Sequence, residues 1–224
     1  VSADYRQVFS VDGLEPDTAV FAEPTACAMH GLETLGQHPG GSALVIGAGP
    51  TGLLLAQLIG FGGATSITVA DIVPFKLETA TRLGVDSTVL LTRDAADHID
   101  LLRKASPKGD GYDVVVEATG VTAVGDICVP LTRNGGTVLV YGVTRPEERL
   151  SVSPFELFRR EITIKGSYAE MTSFAAAIAA LRTGRVHTDG IITHRFPLDE
   201  YGSALQTMTS DPAAHKVVVV VAEL

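Results

Sequence analysis

The stretch Leu44-Val45-Ile46-Gly47-Ala48-Gly49-Pro50-Thr51-Gly52-Leu53-Leu54-Leu55 decides the fold. It runs from an apolar, β-branched segment through three glycines spaced G-x-G-x-x-G into a stretch that stays apolar nearly all round as far as Phe61. That order predicts a strand, a tight turn and a helix buried beside a sheet. Working outward, short runs of the same kind recur at 43–46, 66–70, 88–91, 113–116, 137–141 and 162–164. Several are apolar on both faces, as strands covered by helices on both sides must be, and the first four are spaced widely enough for crossover helices. The expectation is an α/β fold, a doubly wound six-stranded parallel sheet over residues 42–168 with the sixth strand at one edge.

The flanks read differently. Residues 5–11 suggest a strand and 18–35 a helix interrupted at Glu23-Pro24. After Gly166, Phe174, Ile178 and Leu181 share one helical face, as do Leu198, Tyr201, Leu205 and Met208. A further strand is expected at 191–196, and the run from Lys216 to Val221 reads as a buried closing strand. Residues 1–41 and 169–224 are therefore expected to be fragments of a second domain. Because the chain opens on Val1 rather than Met, it is expected to be a truncated piece.

The glycine loop carries the first chemical inference. Gly47 permits the turn, Gly49 lets backbone approach a pyrophosphate, and Gly52 lets the helix start close to the sheet, its first amides, with Pro50 and Thr51, facing the anion. Asp71 ends the second run about 20 positions after Gly52, where a carboxylate accepts hydrogen bonds from ribose hydroxyls and repels a 2′-phosphate. The expected ligand is therefore a Rossmann-type dinucleotide, NAD rather than NADP. The competing readings are an ordinary tight turn for the loop and a helix cap for Asp71. Lys76 is placed to reach the same ribose, or to be a solvated helix residue. Ligands of such sheets bind at the carboxyl ends of the strands, which adds Thr119, Gly142, Val143, Ser167 and Tyr168 as cofactor candidates. Glu117 reads as a capping or pairing residue.

Composition narrows the classes. A net charge of −9, with no basic run, argues against a nucleic-acid partner. No apolar run approaches the roughly 20 residues needed to span a bilayer. Cys27 and Cys128 form no paired metal spacing and are too few for a disulfide framework, so a reduced cytoplasmic compartment is expected.

Glu23-Pro24 ahead of the glycine loop, the turn Glu117-Ala118-Thr119-Gly120, and the run from Arg160 to Tyr168 together resemble the zinc-dependent medium-chain alcohol and polyol dehydrogenases, the sorbitol and sugar-alcohol branch most of all. The resemblance covers essentially the whole chain. It implies an additional N-terminal GroES-like domain, hydride transfer between a zinc-bound polyol or other secondary alcohol and NAD, and a homodimer or homotetramer joined through the sixth strand. It also implies that Glu23 is the catalytic and metal-contacting residue and that Lys216 reaches the cofactor phosphates. The other zinc ligands of the family have no counterpart here, so the metal site of this chain is expected to be incomplete and the chain alone inactive. From the residues alone, Glu23 reads equally as a helix cap and Lys216 as a strand-entry charge, while His30 and Cys27 read as packing residues. The family's arginine after the aromatic following the sixth strand is replaced by Ala169, which leaves the polyol open. A non-catalytic NAD-sensing module would use the same glycine loop and Asp71 but has no need of Glu23-Pro24 or the closing strand. A methyl-donor-binding transferase usually ends its sheet in a reversed strand, where here a helical tail follows.

Overall fold

The computed structural model describes residues 8–36, 38–93, 97–169 and 172–221. Its main sheet holds β1 (Ser42–Ile46), β2 (Ser66–Asp71), β3 (Ser87–Leu90), β4 (Tyr112–Glu117), β5 (Thr132–Val140) and β6 (Thr163–Gly166). All pairs are parallel and the order is β3-β2-β1-β4-β5-β6. This is the doubly wound sheet the sequence predicts, with β6 at an edge. Its topological switch lies between β1 and β4, where Ala43 to Ile46 pair with Val114 to Glu117.

The two-residue alternation of the strands explains why both faces are apolar. Ala43 and Val45 point, with Val69, Val114 and Val116, into one core together with α3 (Pro50–Phe61) and α4 (Pro74–Arg82). The same core takes in α2 (Ala22–Leu35) and α8 (Phe174–Arg182). Leu44 and Ile46 point the other way, against α5 (His98–Lys104), α6 (Thr122–Leu131) and α7 (Pro154–Arg160). At the far end of the switch, Asp113 accepts hydrogen bonds from Ser42 N at 2.8 Å and Ser42 Oγ at 2.9 Å and is ion-paired with Arg133.

Several expected boundaries shift. The chain does not break at Glu23-Pro24 but just before it, between α1 (Pro16–Ala19) and α2, at Val20 and Phe21. Pro24 stands third in α2, where the missing amide is one the first turn leaves unpaired anyway. The strand expected at 5–11 lies partly outside the described residues, and Val8 to Val11 take no regular structure. β5 begins five residues earlier than read, at Thr132, across a register irregularity opposite β4. β6 begins at Thr163, because Glu161 closes α7 in the left-handed conformation, φ 52°.

The tail forms β7 (Ile192–Pro197) and β8 (Lys216–Val220), a separate two-stranded parallel sheet, with a 3-10 turn (Leu198–Glu200) leading into α9 (Tyr201–Ser210) between them. The closing strand is half-buried rather than buried, and Val221 beyond it is 74% exposed. α9 buries only Ala204, so Tyr201, Leu205 and Met208, with Leu198 of the preceding 3-10 turn, face outward. Among the described residues, no helix is long and apolar enough to cross a membrane.

Candidate functional site

The glycine loop sits at the carboxyl end of β1, beside the switch. Each glycine can be tested by asking what a side chain there would meet. Gly47 has φ 111°, and a Cβ on it would approach the Ala118 carbonyl oxygen to 3.0 Å. A Cβ on Gly52 would lie 1.9 Å from the Gly47 carbonyl oxygen, so only glycine lets α3 start this close to the strand. Gly49 differs: it is the N-cap of α3 at φ −65°, ψ 170°, and a Cβ there would meet nothing within 4 Å. Among the described residues nothing requires a glycine at Gly49. The space beside it is where the backbone of a dinucleotide-binding loop meets its ligand.

Asp71, at the end of β2, holds the loop. Its carboxylate accepts from Ala48 N at 2.7 Å and from Val73 N at 2.9 Å. It is partly exposed, and Lys76 stands half-buried on the first turn of α4 nearby. Facing them is His215, just before β8, which the sequence did not single out. Its Nε2 lies 2.6 Å from the Ala48 carbonyl oxygen, and its ring meets Phe75 edge-on at 5.8 Å. Burial holds its pKa below the ordinary value against the hydrogen bond to Ala48, which raises it; Lys76 and Arg82 push down and Asp71 pushes up. Lys216 follows immediately, but its ammonium lies over the Phe21 ring at 5.4 Å.

The carboxyl ends of β4, β5 and β6 make the second half of the crevice. Glu117 is buried and spends its carboxylate on the turn after β4, accepting from Thr119 N at 2.7 Å, from Gly120 N at 3.0 Å and from the Thr119 hydroxyl. It is thus the local anchor the sequence suggested. Gly142 packs directly against Gly120, which joins the two turns. Val143 and Tyr168 are each 88% exposed, while the Ser167 hydroxyl is buried and finds no partner among the described residues.

Glu23 is exposed on the first turn of α2, and Cys27, one turn on, donates its thiol to Glu23 Oε1 at 3.2 Å. Cys27 is therefore more than the packing residue it was read as. Tyr141, after β5, packs its ring on α2 at Gly31. Burial, with Cys27 and Glu23 adding to it, raises its phenol pKa above the ordinary value. Among the described residues no group of three or more His, Cys, Asp and Glu side chains is placed to hold a metal. A single carboxylate does not make a tetrahedral zinc site, so the residues present do not fit a zinc ion by themselves.

A parallel sheet wound on both faces, with a glycine loop and a loop-bound carboxylate at its switch, defines a Rossmann-type fold. The chain belongs to the zinc-binding dehydrogenase family, whose sequence profile matches residues 50–183, more than half of its length. D-arabinitol dehydrogenase 1 of Uromyces fabae is 41% identical over 206 residues, covering 91% of this chain and 58% of that protein. D-altritol 5-dehydrogenase of Agrobacterium fabrum (strain C58) is 35% identical over 221 residues, 97% of this chain and 62% of that protein. Among solved structures, a zinc-binding dehydrogenase of Sinorhizobium meliloti 1021 bound to NADP superposes with a TM-score of 0.84 at 30% identity, covering 93% of this chain and 60% of that one. The chain thus spans between 58% and 62% of the length of these relatives.

Proposed function

We propose that this chain is the cofactor-binding part of an NAD-dependent polyol dehydrogenase. The observation that carries the reading is the pairing of the glycine loop with Asp71, whose carboxylate is bonded to the loop itself and stands where an adenosine ribose would lie. Bound there, the dinucleotide runs from Asp71 across the switch toward Thr119, Gly142, Val143, Ser167 and Tyr168. When bound, the nicotinamide would supply the hydride acceptor for oxidation of an alcohol. The part of this chain would be to bind and orient the cofactor, with Glu23 exposed on the first turn of α2 as its contribution to the metal and alcohol site.

The substrate class rests on the relatives named for arabinitol and altritol. The half-covered β7–β8 sheet and the outward stripe on α9 support residues 1–41 and 169–224 as parts of a catalytic domain, flanking a cofactor domain at 42–168. The bare edge of β6 supports a homo-oligomer formed through that strand. Titration of the 224-residue chain with NADH, followed by the fluorescence of the reduced nicotinamide, tests the central reading. One saturable site is expected, and no binding at millimolar NADH refutes it.

A further inference from the structure

We propose that His215 is a positioning residue for the dinucleotide loop, locking the peptide between Ala48 and Gly49 from the far end of the chain. This rests on the reading of that loop as the cofactor site and deepens it. His215 is buried, 9% exposed as a residue, yet among the described residues its ring makes one hydrogen bond, to the Ala48 carbonyl 167 positions away in sequence. A carbonyl only accepts, so Nε2 carries the proton and donates. Nδ1 is buried and has no partner among the described residues. A histidine kept only for packing would carry that unsatisfied nitrogen for nothing, because leaving a buried polar atom unpaired is destabilising.

The use of the single bond follows from peptide geometry. In a planar trans peptide the carbonyl of Ala48 and the amide of Gly49 point in opposite directions. Fixing one therefore aims the other. The preceding peptides are already held, since Gly47 N donates to Ala70 O at 2.8 Å and Ala48 N to Asp71. His215 supplies the next restraint, at the peptide that enters α3. Gly49 is fastened through its own carbonyl, which accepts from Leu53 N at 3.0 Å, but that bond lies on the following peptide, so among the described residues the His215 bond is the one that fixes the Ala48–Gly49 plane. An amide that must be ordered on binding costs affinity that a preordered one does not. The segment carrying β7 and β8 thereby acts on the nucleotide loop through His215.

The test compares the wild-type chain with His215→Leu and His215→Gln, the glutamine amide being long enough to donate to the same carbonyl. Two measurements are made on each. The Kd for NADH is expected to rise about tenfold in the leucine variant, the worth of one buried hydrogen bond, and to stay within about threefold of wild type in the glutamine variant. Amide exchange of residues 47–52 without ligand is expected to accelerate in the leucine variant alone, with β4 and β5 unchanged. The proposal is overturned if His215→Leu binds NADH and protects its loop as the wild type does, or if glutamine fails as leucine does. If the wild type binds no NADH at all, the cofactor reading falls, and exchange in the loop decides the lock by itself.

Discussion

Replacing Asp71 by asparagine removes one charge and keeps the shape of the side chain. In the wild type, a 2′-phosphate placed on the ribose would lie against a carboxylate that is partly exposed at the end of β2. Unit charges 4 Å apart repel by about 1 kcal/mol in bulk water and about 4 kcal/mol at the effective dielectric of a protein surface. A position between these limits gives a penalty of roughly 2 kcal/mol, so NADPH is expected to bind about 30-fold more weakly than NADH. Asparagine keeps one acceptor for the Ala48 amide but presents an amide group where Val73 N now donates. NADH affinity should therefore fall several-fold, about the worth of one hydrogen bond, while NADPH gains from the lost repulsion. The gap is expected to close to within about threefold. Fluorescence titrations of both reduced cofactors measure it, first at low ionic strength and then at 1 M salt, where screening over about 3 Å should shrink the wild-type gap. Equal affinities in the wild type, or an undiminished gap in Asp71→Asn, would refute the role given to this carboxylate.

Gly52→Ala should destabilise the chain by at least about 2 kcal/mol in urea unfolding, because its methyl group has no room. Gly49→Ala should leave stability nearly unchanged yet weaken NADH binding at least tenfold, and a variant that binds normally would show that the open space beside it is not the ligand's. Elemental analysis of the purified chain should find well under one zinc per molecule, and no NADH should form from sorbitol or arabinitol; one tight equivalent or measurable turnover would contradict the reading of Glu23 as an isolated ligand. For assembly, Ser167 N donates to Val140 O, so alternation along β6 turns the amides of Thr163 and Lys165 toward β5 and those of Ile164 and Gly166 outward. Ile164→Pro should therefore shift light scattering toward the monomer with little change in NADH affinity. A wild type that is monomeric at tens of micromolar removes the edge-to-edge dimer.

The sheet and its ligand loop were legible in the sequence because their causes are local. Strands buried on both faces must be apolar at successive positions, and Gly47 and Gly52 answer to atoms within a few residues or on the next strand. What stayed hidden depends on partners remote along the chain. His215 meets Ala48 only because the tail returns, and nothing near residue 215 marks it. Lys165 lies on the edge strand β6, yet its ammonium donates to the Thr34 and Leu35 carbonyls at 3.0 Å each, closing the end of α2, a partner about 130 positions away. The apolar stripe on α9 has the correct period for a buried helix, but period alone does not say which face is covered. Pro24 misled for a simpler reason: a proline excluded from a helix interior is admitted in its first turn.

The switch between β1 and β4 also sets an order of assembly. β1 to β3 with their helices, and β4 to β6 with theirs, are each built from neighbours in sequence. Joining them brings Ser42 to Asp113, 71 residues apart. Closing a loop of that length costs on the order of 4 kcal/mol in chain entropy, about 1 kcal/mol more than pairing β1 with β2. The strand carrying the glycine loop is made first on the ribosome and waits for its neighbour. The crevice at the switch has only one wall until then, so the first half offers a nucleotide the glycine loop and Asp71 but not the turns after β4 and β5. Cofactor present during refolding should leave the early steps untouched and act by mass action on the joined state, slowing its unfolding.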